Sequence, residues 1–240
     1  MNNRCKIQYP LIWLSIFFVL KMSAQIEPGV YFFEELTNEH RIQHELKIDS
    51  SYFVYSAFKE EPAEFIKTIG GHYTIENKAL NVKLEFNSDY EKDSISGMRY
   101  SLAIDGDKLI LLNDKKLIFA PKKVSSQELD GLWLFGTRGP DNGQERRGDT
   151  NPRKTLKFLQ NGRFQWIAFN TETMKFHGTG GGSFTSKNGV YQESIEYFSR
   201  DNSRVGAVLT FDYTLEANDW HHKGKNSKGE PMYEIWARRY

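Results

Sequence analysis

One ten-residue pattern occurs twice in this chain, and it restricts the possible folds more than any other feature. Phe65–Thr74 (FIKTIGGHYT) lies over Phe176–Thr185 (FHGTGGGSFT), sharing F-x-x-T-x-G-G-x-aromatic-T. The flanks keep step. Ala57-Phe58 and Ala168-Phe169 precede the two copies at one spacing, and Leu84-Glu85-Phe86 and Ile195-Glu196-Tyr197 follow them at one spacing. Both units open alike, with Gly29-Val30-Tyr31 and Gly131-Leu132-Trp133, and close alike, with Ile118-Phe119-Ala120 and Ile235-Trp236-Ala237. Coincidence at so many places means one unit of roughly a hundred residues, a usual domain size, repeated in tandem.

The unit is β. Asn161-Gly162 and Asn188-Gly189 accept the positive φ that two-residue hairpins of right-handed twist need. Between them Phe164, Trp166 and Ala168 alternate with Gln165, Ile167 and Phe169, a period of two. Gly180-Gly181-Gly182 falls inside a strand and marks a bulge or barrel corner; a phosphate-cradling loop would need a helix to follow. Strands are expected near 29–36, 41–48, 52–58, 64–75, 79–88, 97–104, 108–112 and 116–121. The second unit repeats them near 131–137, 153–160, 163–170, 174–185, 190–199, 204–215, 219–224 and 231–239, and no capped helical periodicity appears. Eight short antiparallel strands per unit predict an all-β chain of two tandem eight-stranded up-and-down barrels, since closure removes exposed edges. A sandwich is the alternative. The expected division is a leader at 1–24, a first domain at 25–123, a polar linker at 124–130 and a second domain at 131–240.

Gly131-Leu132-Trp133 on the first strand, eight strands in meander order, and Glu234-Ile235-Trp236-Ala237-Arg238 on the last strand resemble the lipocalin (calycin) superfamily. They are similar in particular to lipocalin-like domains of secreted bacterial proteins. The resemblance implies that Gly131, Trp133, Trp236 and Arg238 close one barrel end, with the Arg238 guanidinium across the Trp133 indole, an arrangement that cation–π attraction favours. In the first unit Tyr31 and Lys122 are the expected stand-ins. The resemblance covers the second unit well and the first loosely.

Composition enters at the N-terminus. Arg4, Lys6 and Lys21, no acid, and the ten-residue run Leu11–Leu20 before Met-Ser-Ala predict a secretory signal peptide cleaved after Ala24. The run is about half of what spans a bilayer, so no retained membrane anchor is expected, and the destination is periplasmic or extracellular. The single cysteine, Cys5, precedes the run, which leaves the exported chain without disulfides or thiolate chemistry. Without the leader the count is 29 basic against 31 acidic residues, a balance that attracts neither nucleic acid nor an anionic membrane. No protein partner can be named.

The leading expectation for function is a small hydrophobic or amphipathic ligand held mainly in the second barrel. The lining residues expected are Trp166, Phe184, Tyr197, Phe211 and Tyr213, with Arg138, Arg146 and Arg147 of the long loop after the first strand meeting an anionic head group, unless that loop is an ordinary solvated one. The competing expectations are a structural or interaction module with filled barrels and, less favoured, a hydrolase using Glu196 or His222. His221 and His222 are strand neighbours and point to opposite faces, so they cannot chelate one metal, and no metal or cofactor is expected. Glu85 and Glu196 occupy matched positions, and strict alternation would turn each carboxylate away from its apolar neighbours. No second carboxylate for glycoside hydrolysis and no Ser-His-Asp or Cys-His arrangement can be assigned, so no catalytic residue is named.

Overall fold

The computed structural model describes residues 26–37, 39–123, 126–226 and 228–240; the expected leader and its expected cleavage after Ala24 lie outside the described residues. The first unit consists of β1 (Gly29–Leu36), β2 (Arg41–Ile48), β3 (Tyr52–Lys59), β4 (Glu64–Glu76), β5 (Ala79–Asn87), β6 (Gly97–Asp105), β7 (Lys108–Leu112) and β8 (Lys116–Pro121). Each pairs antiparallel with the next, and β1 pairs with β8 to close the ring. The second unit consists of β9 (Gly131–Arg138), β10 (Arg153–Gln160), β11 (Arg163–Asn170), β12 (Phe176–Lys187), β13 (Val190–Phe198), β14 (Val208–Glu216), β15 (Asp219–Lys225) and β16 (Pro231–Arg239). It closes through β16 on β9. The chain is thus all-β, with two eight-stranded antiparallel closed barrels. Two strands start later than expected. Met174 adopts a φ of 55° in the turn before β12, and the Asp201 side chain accepts from Ser203 N to cap a 3-10 turn, Asn202–Arg204, ahead of β14.

The repeated glycines work through the ladder. Pairing passes from Gly70↔Phe86 to Gly71↔Leu84 in β4–β5 and from Gly181↔Tyr197 to Gly182↔Ile195 in β12–β13. Glu85 and Glu196 are therefore the extra residues of two matched bulges, and each bulge reverses the alternation beyond it. Leu84 and Ile195 belong to the barrel cores, whereas Phe86 and Tyr197 face the other barrel. Those aromatic rings lie across the glycines. A Cβ at Gly181 would sit 2.2 Å from Tyr197 Oη, and one at Gly70 would sit 2.5 Å from the Phe86 ring.

The barrels share a buried interface. Tyr52, Val54 and Phe86 pack against Leu132, Leu134, Leu156, Phe158, Ile167 and Phe169, and Phe58 stacks on Tyr197 with centroids 4.5 Å apart. Arg163 donates to Glu45 Oε2 at 2.7 Å and to Glu196, with Lys47 on the other Glu45 oxygen. Burial pushes the Glu45 pKa up, but Arg163 and Lys47 outweigh it and the net direction is down. Arg239 grips Glu85 with two bonds of 2.7 and 2.8 Å. The matched carboxylates are thus interface anchors.

The ends of the two barrels are built on one device. Tyr31 Oη donates to Glu27 O at 2.6 Å, and Trp133 Nε1 donates to Leu129 O at 2.9 Å, both four residues back. Leu129, from the segment expected to be a plain linker, is fully buried in the second core. The Arg238 guanidinium stands 3.9 Å from the Trp133 ring centroid and donates to Asp130 O at 2.6 Å. In the first barrel Lys122 lies over Phe32, not over Tyr31, so the expected stand-in pair does not form.

Candidate functional site

The ladders allow the two interiors to be compared position by position. Leu46 pairs between Tyr31 and Tyr55 in the first ring, and Lys157 pairs between Trp133 and Trp166 in the second. Val82 opposite Met98 corresponds to Glu193 opposite Leu209, the next pair on the same face after Leu80–Tyr100 and Tyr191–Phe211. Leu111 opposite Leu117 corresponds to His222 opposite Glu234, next to Leu109–Phe119 and Trp220–Trp236. Four aliphatic positions of the first interior have thus become Lys157, Glu193, His222 and Glu234 in the second. The first barrel packs Leu46, Leu80, Val82, Leu109, Leu111 and Phe119 into one apolar core. Around the polar four, the second has an open-mouthed pocket of about 540 Å³, within the size range of small-molecule sites.

Each of the four is positioned by aromatic neighbours. Lys157, 5% exposed, holds Nζ between 4.8 and 5.1 Å from the ring centroids of Trp220, Tyr191 and Trp236. Its nearest carboxylate oxygen is Glu193 Oε2 at 3.8 Å, longer than a hydrogen bond. Burial lowers the lysine pKa, and Glu193 and Glu234 counter part of that. Tyr191 Oη donates to Glu193 Oε2 at 2.8 Å, and Trp236 Nε1 donates to Glu234 Oε2 at 3.1 Å. His222 is 2% exposed, with the Phe211 ring 4.3 Å and the Trp220 ring 4.9 Å away. Its Nδ1 stops 3.7 Å from Glu234 Oε2, and neither ring nitrogen has a hydrogen-bond partner. Burial first, then Lys157, push its pKa down to about 4, so the imidazole is neutral at pH 7. Burial raises the Glu234 pKa, but His222 and Lys157 prevail and hold that carboxyl below its ordinary range.

Trp166, Phe198, Leu209, Phe211 and Met232 complete the apolar wall, and Asp201, Arg204, Lys225 and Asn226 line the mouth. Thr155, Glu234 and Trp236 also border a second hollow of about 500 Å³, lined as well by Arg138 at the end of β9 and by Glu145 and Arg147 of the long loop. Arg147 N donates to Gly136 O at 2.8 Å, and its guanidinium lies 5.3 Å from the Phe135 ring.

Neither the protein-family models nor the curated proteins compared with this chain match it.

Of the residues expected to line the site, Trp166 and Phe211 border the main cavity and Arg138 borders the adjoining hollow. Phe184 and Tyr213 are buried in the second core, where the Tyr213 hydroxyl donates to Glu128. Tyr197 is turned out of the barrel onto Phe58 by the Glu196 bulge. Arg146 pairs with Asp219 at 2.8 Å and Asp141 at 3.6 Å, which holds its charge away from the cavity. Glu196 is bound to Arg163 in the interface. His221 meets Tyr233 Oη at 2.7 Å on the other face of β15 from His222. Among the described residues no group of three His, Cys, Asp or Glu side chains could hold a metal ion. Lys157, Glu193 and Glu234 escaped the sequence reading. The signal for them was present: the spacing of the two glycine motifs sets Lys157 against Leu46 and Glu193 against Val82, and the matched closing segments set Glu234 against Leu117.

Proposed function

We propose that this chain is an exported binding protein of lipocalin-like type, in which the second barrel holds a small, partly apolar ligand and the first is a filled scaffold. The observation that carries this reading is the set of four substitutions just described. Buried ionisable side chains cost stability unless they are paired, and an aliphatic interior of the same fold was available in the first unit. Their presence around a cavity of ligand size is what a binding site requires and what a solid barrel has no use for. The filled first barrel fits the role of a rigid support, because its outer face carries the ionic and aromatic contacts that hold the second. The apolar run at 11–20 supports export.

Titration with N-phenyl-1-naphthylamine, a neutral fluorophore bright in apolar surroundings, tests the reading. Saturable binding of one equivalent is expected, and Leu209→Trp, which fills the cavity from its wall, should weaken it by about tenfold or more. Absence of saturable binding, or binding indifferent to Leu209→Trp, would overturn it.

A further inference from the structure

Resting on the cavity reading above, we infer that the ligand of the second barrel is a small organic cation, an amine attached to an apolar body. The formal charges enclosed by the barrel are one ammonium, Lys157, and two carboxylates, Glu193 and Glu234. His222 adds none, being neutral at pH 7. The interior therefore carries one negative charge too many in surroundings of low dielectric, where an unbalanced charge outweighs a single neutral hydrogen bond. A ligand bearing one positive charge restores balance, whereas a carboxylate would be the third in the same space.

Three further features of the site favour a cation. Each carboxylate is engaged through one oxygen, Glu193 by Tyr191 and Glu234 by Trp236, which leaves acceptor capacity for a ligand N–H. His222 lines the cavity with both ring nitrogens unpartnered, and a neutral imidazole has one lone pair to accept a proton donor. The wall residues Trp166, Phe211 and Trp236 are π-faces of the kind that attract desolvated ammonium groups, as Trp236 already does for Lys157. The charges at the mouth, Asp201, Arg204 and Lys225, are half-buried or exposed and are screened by water.

Isothermal titration of the purified chain at pH 7 with three matched probes tests this: 2-phenylethylamine, 2-phenylethanol and 3-phenylpropanoate. The amine should bind about tenfold more tightly than the alcohol, and the acid most weakly. Glu234→Gln and Glu193→Gln, near-isosteric changes, should each cost the amine about tenfold and leave the alcohol unchanged. Lys157→Met should tighten the amine. Equal affinity for amine and alcohol, or preference for the acid, would overturn the cation while leaving the cavity reading intact. Binding of none of the three, together with no uptake of the naphthylamine fluorophore, would overturn both.

Discussion

Lys157 and His222 contribute opposite terms to stability, and both terms can be measured. Replacing Lys157 by Leu, its counterpart in the first barrel, leaves Glu193 and Glu234 facing each other without a cation; a loss of about 3 kcal/mol in denaturant unfolding is expected. His222 is held neutral, with a pKa near 4 against about 6.5 when unfolded. Between those values the unfolded chain binds the extra proton. Stability is therefore full above pH 6.5 and declines as pH falls towards 4, by a His222 share on the order of 3 kcal/mol. His44 and His177 are lowered in the same direction and add to the slope. The His222→Leu variant should show a shallower slope than the natural protein in that window, and identical slopes would show that the imidazole is not buried neutral. Of the cavity, Trp166 and Phe211 were legible because aromatic residues on an alternating strand mark its interior face. Tyr197 was misread because parity counts hold only until a bulge, and nothing in the string SIEYF announces which residue is the extra one.

The strands themselves were legible almost throughout, since period-two alternation and Asn-Gly turns are local signals. What single strands do not record is which of their outward residues are covered by the neighbouring barrel. Lys47, Arg163 and Gln165 look like solvated positions in the sequence yet are buried at the interface. Gly180-Gly181-Gly182, by contrast, reads as a bulge or barrel corner, and a bulge stands there, with its extra residue, Glu196, on the facing strand. At Gly182, with φ of 158°, a Cβ would meet Ser194 O at 2.0 Å, and at Gly181 it would meet Tyr197 Oη and, at 2.8 Å, Phe164 O. Gly182→Ala and Gly181→Ala should each cost about 2–3 kcal/mol, as overpacking against backbone and an immobilised ring does. Gly148→Ala, where nothing lies within 4 Å, should change the unfolding midpoint little. Equal tolerance at all three would contradict the role given to the bulges.

Under the proposed function the two barrels divide structure and recognition between them. The shared core of Phe86, Leu132, Leu156 and Phe169, crossed by the Glu45–Arg163–Glu196 ion pairs, makes each barrel part of the other's support. Calorimetry should accordingly show one cooperative unfolding transition for the natural chain. Arg163→Met, which leaves Glu45 and Lys47 buried without their third charge, should cost about 3–5 kcal/mol. Two resolved transitions in the natural protein would mean that the interface couples the barrels less than its burial indicates. The repeated plan carries two different interiors: one is aliphatic at four positions where the other has Lys157, Glu193, His222 and Glu234 around a pocket. The most direct test is native mass spectrometry of the protein recovered from its own host, beside a variant carrying Lys157→Leu, Glu193→Val, His222→Leu and Glu234→Leu. One small-molecule adduct per chain is expected on the natural protein and none on the variant; an adduct that survives the four changes, or a natural protein that carries none, would contradict the assignment of recognition to the second barrel.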